Sequence, residues 1–325
     1  MLWIVVVFVA ALAALIVFLL RDQGTPQRAS ARAWLIRRSA FLFLPSGQES
    51  IPEARDHLER VWSAFKLPSQ IQREDLSADG IPVTWIHHKD MQRHQALLVL
   101  HGGGYALGSI ETHKTYAYVL SEAARAPALV IDYRLAPEHP FPAALDDAYV
   151  AFHWLEKQGI PASKIVLFGD SAGGGLAAAL TLRLKEENQP LPAAILLASP
   201  WLDLTMSGDS IKTNAARDVI LSRPALETYS VNYAATHALE HPLISPVFGD
   251  LKGFPPTLIM VSGDELFRSE CELFAERLSE AQVDVTLQVW PAMIHDWPLM
   301  NRFIPEGKRA INALGRFARR HLDAQ

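Results

Sequence analysis

Apolar and polar positions along this chain fall into two recurring patterns. Residues 96–100, 128–133, 165–168, 193–198 and 257–261 form short, mainly apolar runs, and 283–289 alternates apolar with polar positions as a strand does. Those runs are too brief and too uniform for helices, and they read as strands. Between them, residues 112 onward, 143–158, 176–185 and 269–281 carry the longer periodicity of helices, so strand and helix alternate. That alternation predicts an α/β domain. Residues 72–87 read as two strands about the turn Ala78-Asp79-Gly80, a hairpin signal. Two stretches break the rhythm. Residues 25–70 are helical in pattern and include an apolar patch, Phe41 to Leu44, beside Arg37 and Arg38. They are expected to form a lid of cap helices. Residues 205–253 mix polar helix with the turn-rich Leu243-Ile244-Ser245-Pro246 and are expected to insert a second part of the cap into a catalytic domain spanning 71–325.

A third pattern stands at the N-terminus. Leu2 to Leu20 is an unbroken run of 19 apolar positions, close to the roughly 20 that a membrane-spanning helix needs. A cleaved signal peptide would carry a basic residue before the run and a small-residue cleavage site after it. Here no Lys or Arg precedes the run, and it ends in Phe18-Leu19-Leu20-Arg21. Residues 1–24 are therefore expected to be an uncleaved single-pass transmembrane helix. Arg21, Arg28, Arg32, Arg37 and Arg38 follow it against Asp22 alone, which predicts a cytoplasmic catalytic domain by the positive-inside rule.

Composition narrows the chemistry. A formal net charge of −5 offers no electrostatic footprint for nucleic acid. Cys271 is the single cysteine of the 325 residues, so no intrachain disulfide forms, and its amphipathic helical surroundings suit packing rather than nucleophilic work. No zinc spacing, Walker loop or dinucleotide fingerprint is present.

Two motifs carry chemistry. The strand at 165–168 runs through Gly169-Asp170-Ser171-Ala172-Gly173 into an Ala/Leu-rich helix. This is Gly-x-Ser-x-Gly in the strand–turn–helix setting that lifts a nucleophilic hydroxyl out of the turn. The helix also aims its free N–H groups and positive dipole end above that hydroxyl. The strand at 96–100 runs into His101-Gly102-Gly103-Gly104-Tyr105, a glycine loop whose backbone N–H groups can approach and stabilise an oxyanion. His101 is expected to brace that loop. Arg134 and Glu138 are expected to form an ion pair shaping the loop after the strand at 128–133.

The motifs His101-Gly102-Gly103-Gly104, Tyr133-Arg134-Leu135-Ala136-Pro137-Glu138 and Gly169-Asp170-Ser171-Ala172-Gly173-Gly174 resemble the hormone-sensitive-lipase family of α/β-hydrolases, which includes many bacterial carboxylesterases. The resemblance covers roughly residue 75 to the C-terminus. It implies an α/β-hydrolase fold with a mostly parallel central sheet, helices on both faces and a helical cap. In that fold a triad runs in chain order Ser, acid, His. Ser171 is the expected nucleophile, and His295, after the final strand, the expected base. Asp264 ends the preceding strand and is favoured as acid over Asp203, one strand earlier; the neighbouring Glu265 is expected to point elsewhere. Asp264-Glu265-Leu266 resembles the family's Asp-x-Leu motif, and His295 its histidine. The chain departs from the family where Phe267-Arg268-Ser269-Glu270 stands for the usual Arg-Asp-Glu, and where Asp296-Trp297 follows His295 in place of Gly-Phe.

These readings predict a serine carboxylic-ester hydrolase acting on short- to medium-chain acyl esters. Gly103, Gly104 and Ala172 would supply the oxyanion hole, and Tyr105, Leu107, Trp201 and Trp297 the pocket walls. No metal or organic cofactor is implied. The same machinery serves lactone hydrolysis or deacetylation, and a non-catalytic ligand receptor of the same fold is the remaining alternative. The resemblance allows a homodimer through the last strand.

Overall fold

The computed structural model describes residues 28–39 and 49–323, together with Leu19, Asp22 and Gly24. The predicted membrane anchor, residues 1–24, lies outside the described residues apart from Leu19, Asp22 and Gly24. The Phe41–Leu44 patch of the predicted lid lies outside them too. Among the described residues no helix is long and apolar enough to cross a membrane.

Helices α1 (Ala31–Ser39) and α2 (Ile51–Ser63) come first. Ser50 and Glu53 form a capping box at the start of α2, and Pro52 sits in its first turn, where a missing N–H costs nothing. Strands β1 (Ile71–Ala78) and β2 (Ile81–His88) form the expected hairpin. Then β3 (Ala96–Leu100), α3 (Ile110–Ala124), β4 (Ala128–Ile131), α4 (Ala143–Lys157), β5 (Ile165–Asp170), α5 (Ser171–Glu186) and β6 (Ala194–Ala198) alternate. The insertion follows, with α6 (Ser210–Thr213) and α7 (Arg223–Ala234), and the chain closes with β7 (Thr257–Ser262), α8 (Arg268–Glu280), β8 (Val285–Trp290) and α9 (Pro305–Asp323).

The eight described strands make one sheet in the order β1-β2-β4-β3-β5-β6-β7-β8. The β1/β2 and β2/β4 pairs are antiparallel, and β4 through β8 are parallel. Strands β3 to β7 are buried at every position, as expected of parallel strands covered on both faces. Successive side chains feed opposite cores: Val166 and Phe168 join one apolar cluster, Ile165 and Leu167 the other. Helices α3 and α9 cover the first face, and α4, α5 and α8 the second. At the α3/α9 crossing Gly315 meets the backbone of Ala123, where any side chain would collide.

The carboxyl ends of β3, β5, β6, β7 and β8 point to one edge, where ligands bind in open α/β sheets. There the loop after β4 departs from expectation. Arg134 and Glu138 do not pair with each other. Arg134 bonds to buried Asp147 of α4 through its backbone N–H (2.8 Å) and guanidinium (2.7 Å). Glu138 turns outward to Arg55 of α2, which draws its carboxyl down to about 2. His87, near the end of β2, is buried and lies against Arg93.

Candidate active site

Ser171 sits at the β5–α5 turn with φ of +51°, a left-handed conformation that costs energy for any residue with a side chain. The turn closes on two glycines: a Cβ on Gly169 would strike the backbone of Gly173, and one on Gly173 would strike the backbone of Leu100 and His101. The Ser171 hydroxyl lies 2.9 Å from His295 Nε2. His295 is held after β8, buried, with the edge of the Phe267 ring against it (centroids 5.4 Å apart).

The carboxylate beside the imidazole is Glu265, not the expected Asp264. Glu265 Oε2 accepts from His295 Nδ1 at 2.8 Å, and Glu265 is 1% exposed. Its other oxygen accepts from the Ser262 amide (2.7 Å) and the Ser199 hydroxyl (2.8 Å). Asp264 faces away from the histidine. Its carboxylate pairs with Arg37 of α1 at 2.7 Å and with Arg217 of the insertion at 3.5 Å. The reason is local: the Glu265 amide bonds back to the Ser262 carbonyl, and this tight turn sends successive side chains in opposite directions. Asp203 is also spent elsewhere, accepting from the backbone and hydroxyls of Thr205 and Ser207. Burial pushes the Glu265 carboxyl up, and the hydrogen bond to His295 works against that shift.

The glycine loop after β3 is fastened to the same turn. Asp170 Oδ2 accepts from the Gly102 amide and faces His113 Nε2, both at 3.1 Å. Burial opposes a charge on His113, but the Asp170 carboxylate outweighs it and holds the imidazole above its usual value. His101 braces the loop from beneath. Burial holds it neutral, at about 3, its Nδ1 donates to the Gly102 carbonyl at 2.9 Å, and its ring stacks on Tyr133 at 4.1 Å. Gly103 has φ of +121° and Gly104 +61°. Both line the cavity that holds Ser171, Leu107, Trp201, His295 and Asp296. Ala172 is the second residue of α5, where the first N–H groups of a helix lack intrahelical partners.

The cavity measures about 200 Å³. Of the four predicted pocket walls, Leu107 and Trp201 line it. Tyr105 and Trp297 do not. Tyr105 stacks flat on Tyr233 at 3.6 Å in the core behind the loop, and Trp297 is fully buried against Trp290. Walls that sequence reasoning missed come from the two cap segments: Leu58 and Trp62 of α2, and Leu226 and Tyr229 of α7. Their helical spacing was visible, but not which face would meet the nucleophile. Arg55 ties α2 to the site, donating to the carbonyls of Ala106 (2.7 Å) and Ala136 (2.9 Å). Among the described residues no three His, Cys, Asp or Glu side chains are grouped to hold a metal ion.

A serine bonded to a buried imidazole, itself oriented by a buried carboxylate beside a glycine loop, is the equipment of nucleophilic acyl transfer. Comparison with known proteins agrees. The profile of a family described as alpha/beta hydrolase fold matches residues 97–299. An acetyl-hydrolase of Streptomyces hygroscopicus is 42% identical over 225 residues, 69% of this chain and 75% of that protein. An esterase of Acinetobacter venetianus is 35% identical over 226 residues, 69% of this chain and 74% of its own length. The crystal structure of an esterase from the bacterial hormone-sensitive lipase family superposes with a TM-score of 0.84 at 37% identity, covering 90% of this chain and 97% of that one.

Proposed function

This chain belongs to the hormone-sensitive-lipase family of α/β-hydrolases and is a carboxylesterase/lipase-type hydrolase, and on that footing we propose that it cleaves short- to medium-chain acyl esters with Ser171, His295 and Glu265. The observation that carries the reading is the pair of hydrogen bonds on one imidazole, 2.9 Å to the Ser171 hydroxyl and 2.8 Å to the Glu265 carboxylate. Neutral His295 takes the hydroxyl proton on Nε2 as Ser171 Oγ bonds to the ester carbonyl carbon. Glu265 steadies the imidazolium from the other side of the ring. The carbonyl electrons move onto oxygen, and the resulting oxyanion is held by the N–H groups of Gly103, Gly104 and Ala172. The C–O bond to the alcohol then breaks, and the leaving alkoxide takes the proton from Nε2. Water attacks the acyl-enzyme by the same route and releases the acid.

The cavity supports a short acyl chain. Its roughly 200 Å³ falls below the range of about 300–1,000 Å³ of drug-sized ligand sites, and its walls from Leu58, Trp62, Leu107 and Leu226 are apolar. Initial rates on p-nitrophenyl acetate, butyrate, octanoate and palmitate test this reading. A short-chain optimum that disappears in Ser171→Ala is expected. A palmitate optimum would make the protein a lipase of long chains, and turnover that survives Ser171→Ala would overturn the site.

The apolar run Leu2–Leu20 and the arginines behind it support a membrane anchor with the catalytic domain on the cytoplasmic side. A membrane-impermeant protease added to intact cells is expected to leave the catalytic domain whole; digestion would reverse the orientation.

A further inference from the structure

Asp296, next to the base, is used by none of the steps above. It holds a left-handed conformation, φ +53°, at the position where the family commonly has glycine. Its Oδ2 lies 3.1 Å from His295 Nε2, the nitrogen that also meets the Ser171 hydroxyl at 2.9 Å. The residue is 8% exposed, its Oδ1 is buried without a hydrogen-bond partner, and its amide donates to the Ser199 hydroxyl at 3.3 Å. One ring nitrogen therefore faces a hydroxyl and a carboxylate together. An unprotonated Nε2 accepts from Ser171 but presents a lone pair to the carboxylate. A protonated Nε2 bonds to the carboxylate but cannot take the serine proton.

We propose that Asp296 is a further catalytic residue: in the free enzyme its Oδ2 shares a proton with His295 Nε2, so turnover begins only once that proton is lost, and during acyl transfer the same carboxylate stabilises the imidazolium that forms. The proposal rests on the Ser171–His295–Glu265 reading and deepens it.

The surroundings favour a shared proton. Glu265 faces the far side of the imidazole, with Asp218 acting in turn on Glu265. Asp170 at the end of β5 faces Asp296, and His113 and Tyr116 of α3 lie within its field. Burial pushes the Asp296 carboxyl up to about 7, against the pull of His295. Burial opposes charge on His295, but Asp296 and then Glu265 outweigh it and hold the imidazole well above its ordinary value. The sign follows directly. A raised imidazole keeps its proton to higher pH, only the neutral ring accepts from Ser171, and so the acid limb of the rate profile moves to higher pH. Removing the carboxylate moves it down.

The test is kcat/KM on p-nitrophenyl butyrate, corrected for spontaneous hydrolysis, measured for the full-length chain across the neutral and alkaline range. Asp296→Asn keeps the shape and tolerates the left-handed backbone, and Asp296→Gly relieves that backbone if the amide variant folds poorly. Both are expected to lower the apparent pKa of the acid limb by about 1–2 units. Both should also lower the alkaline plateau roughly three- to tenfold, because a weaker base moves the proton less readily. Acid limbs in both variants that superimpose on the wild type overturn the proposal, and a purely structural role for Asp296 would give that result alongside a lowered melting temperature. Ser171→Ala, run in parallel, separates the two levels. Loss of turnover there with unmoved limbs in the Asp296 variants retires this inference alone, whereas turnover surviving Ser171→Ala retires the triad beneath it.

Discussion

Glu265→Gln is expected to lower kcat about 10⁴-fold, the loss seen when the acid of a serine triad becomes an amide, while Asp264→Asn leaves the rate within about fivefold. The first effect follows from how Glu265 is held. Its Oε1 accepts from the Ser262 amide and the Ser199 hydroxyl, so in the variant the amide oxygen must stay on that side. The –NH₂ then faces His295 Nδ1, which becomes an acceptor, and the ring proton moves to Nε2. That is the tautomer unable to take the proton of Ser171. The backbone is undisturbed, so melting temperature should change far less than rate. Asp264, in contrast, spends its charge on Arg37 and Arg217, a half-exposed network worth about 0–1 kcal/mol. Steady-state rates of the two variants on p-nitrophenyl butyrate decide between neighbouring carboxylates. A dead Asp264→Asn beside an active Glu265→Gln would restore Asp264 as the acid.

Gly103→Ala is expected to cost about 100- to 1,000-fold in kcat, the range for losing one oxyanion donor. At φ +121° the backbone lies where residues with a Cβ are strained, and the added methyl would strike the Leu107 carbonyl. That carbonyl cannot retreat cheaply, because Leu107 is bound to Gly103 by its own amide at 2.8 Å. The loop must therefore rotate, and the N–H groups above Ser171 rotate with it. A donor that acts on the tetrahedral oxyanion should reveal itself in the affinity of a trifluoromethyl ketone. That affinity is expected to fall in step with kcat/KM, while KM changes little. An unchanged inhibitor affinity would place the damage outside the oxyanion site.

Local sequence carried much of this architecture. Buried parallel strands announce themselves as uniform apolar runs, and the Ser171 turn and the glycine loop need particular residues in an unbroken stretch. His295 was legible because few histidines follow the final strand. What escaped was set by direction rather than by type. Whether Asp264 or Glu265 meets the imidazole depends on one tight turn after β7, and a sequence displays two adjacent carboxylates without their bearings. Trp297 and Tyr105 had the composition of pocket walls, yet the sheet needed them as core, one against Trp290 and the other against Tyr233. The partners of Arg134 and Glu138 lie on different helices, α4 and α2, so neither pairing could be read from their own loop.

The clamp that Arg55 makes on the loops after β3 and β4 bears on how the protein is born. Arg37 meets Asp264 across 227 positions, and Ser30 bonds to Glu306 across 276. Ser30 and Arg37 thus find these partners only late in the chain, whereas Arg55 of α2 finds its own within 83 positions. The cavity that Leu58 and Trp62 of α2 line also takes His295, Leu299 and Met300, so it too is complete only late in the chain. Contacts of such long span slow folding, and open apolar surface during that delay invites association between nascent chains. A product of interrupted synthesis that ends before His295 lacks the imidazole on which the proposed hydrolysis depends.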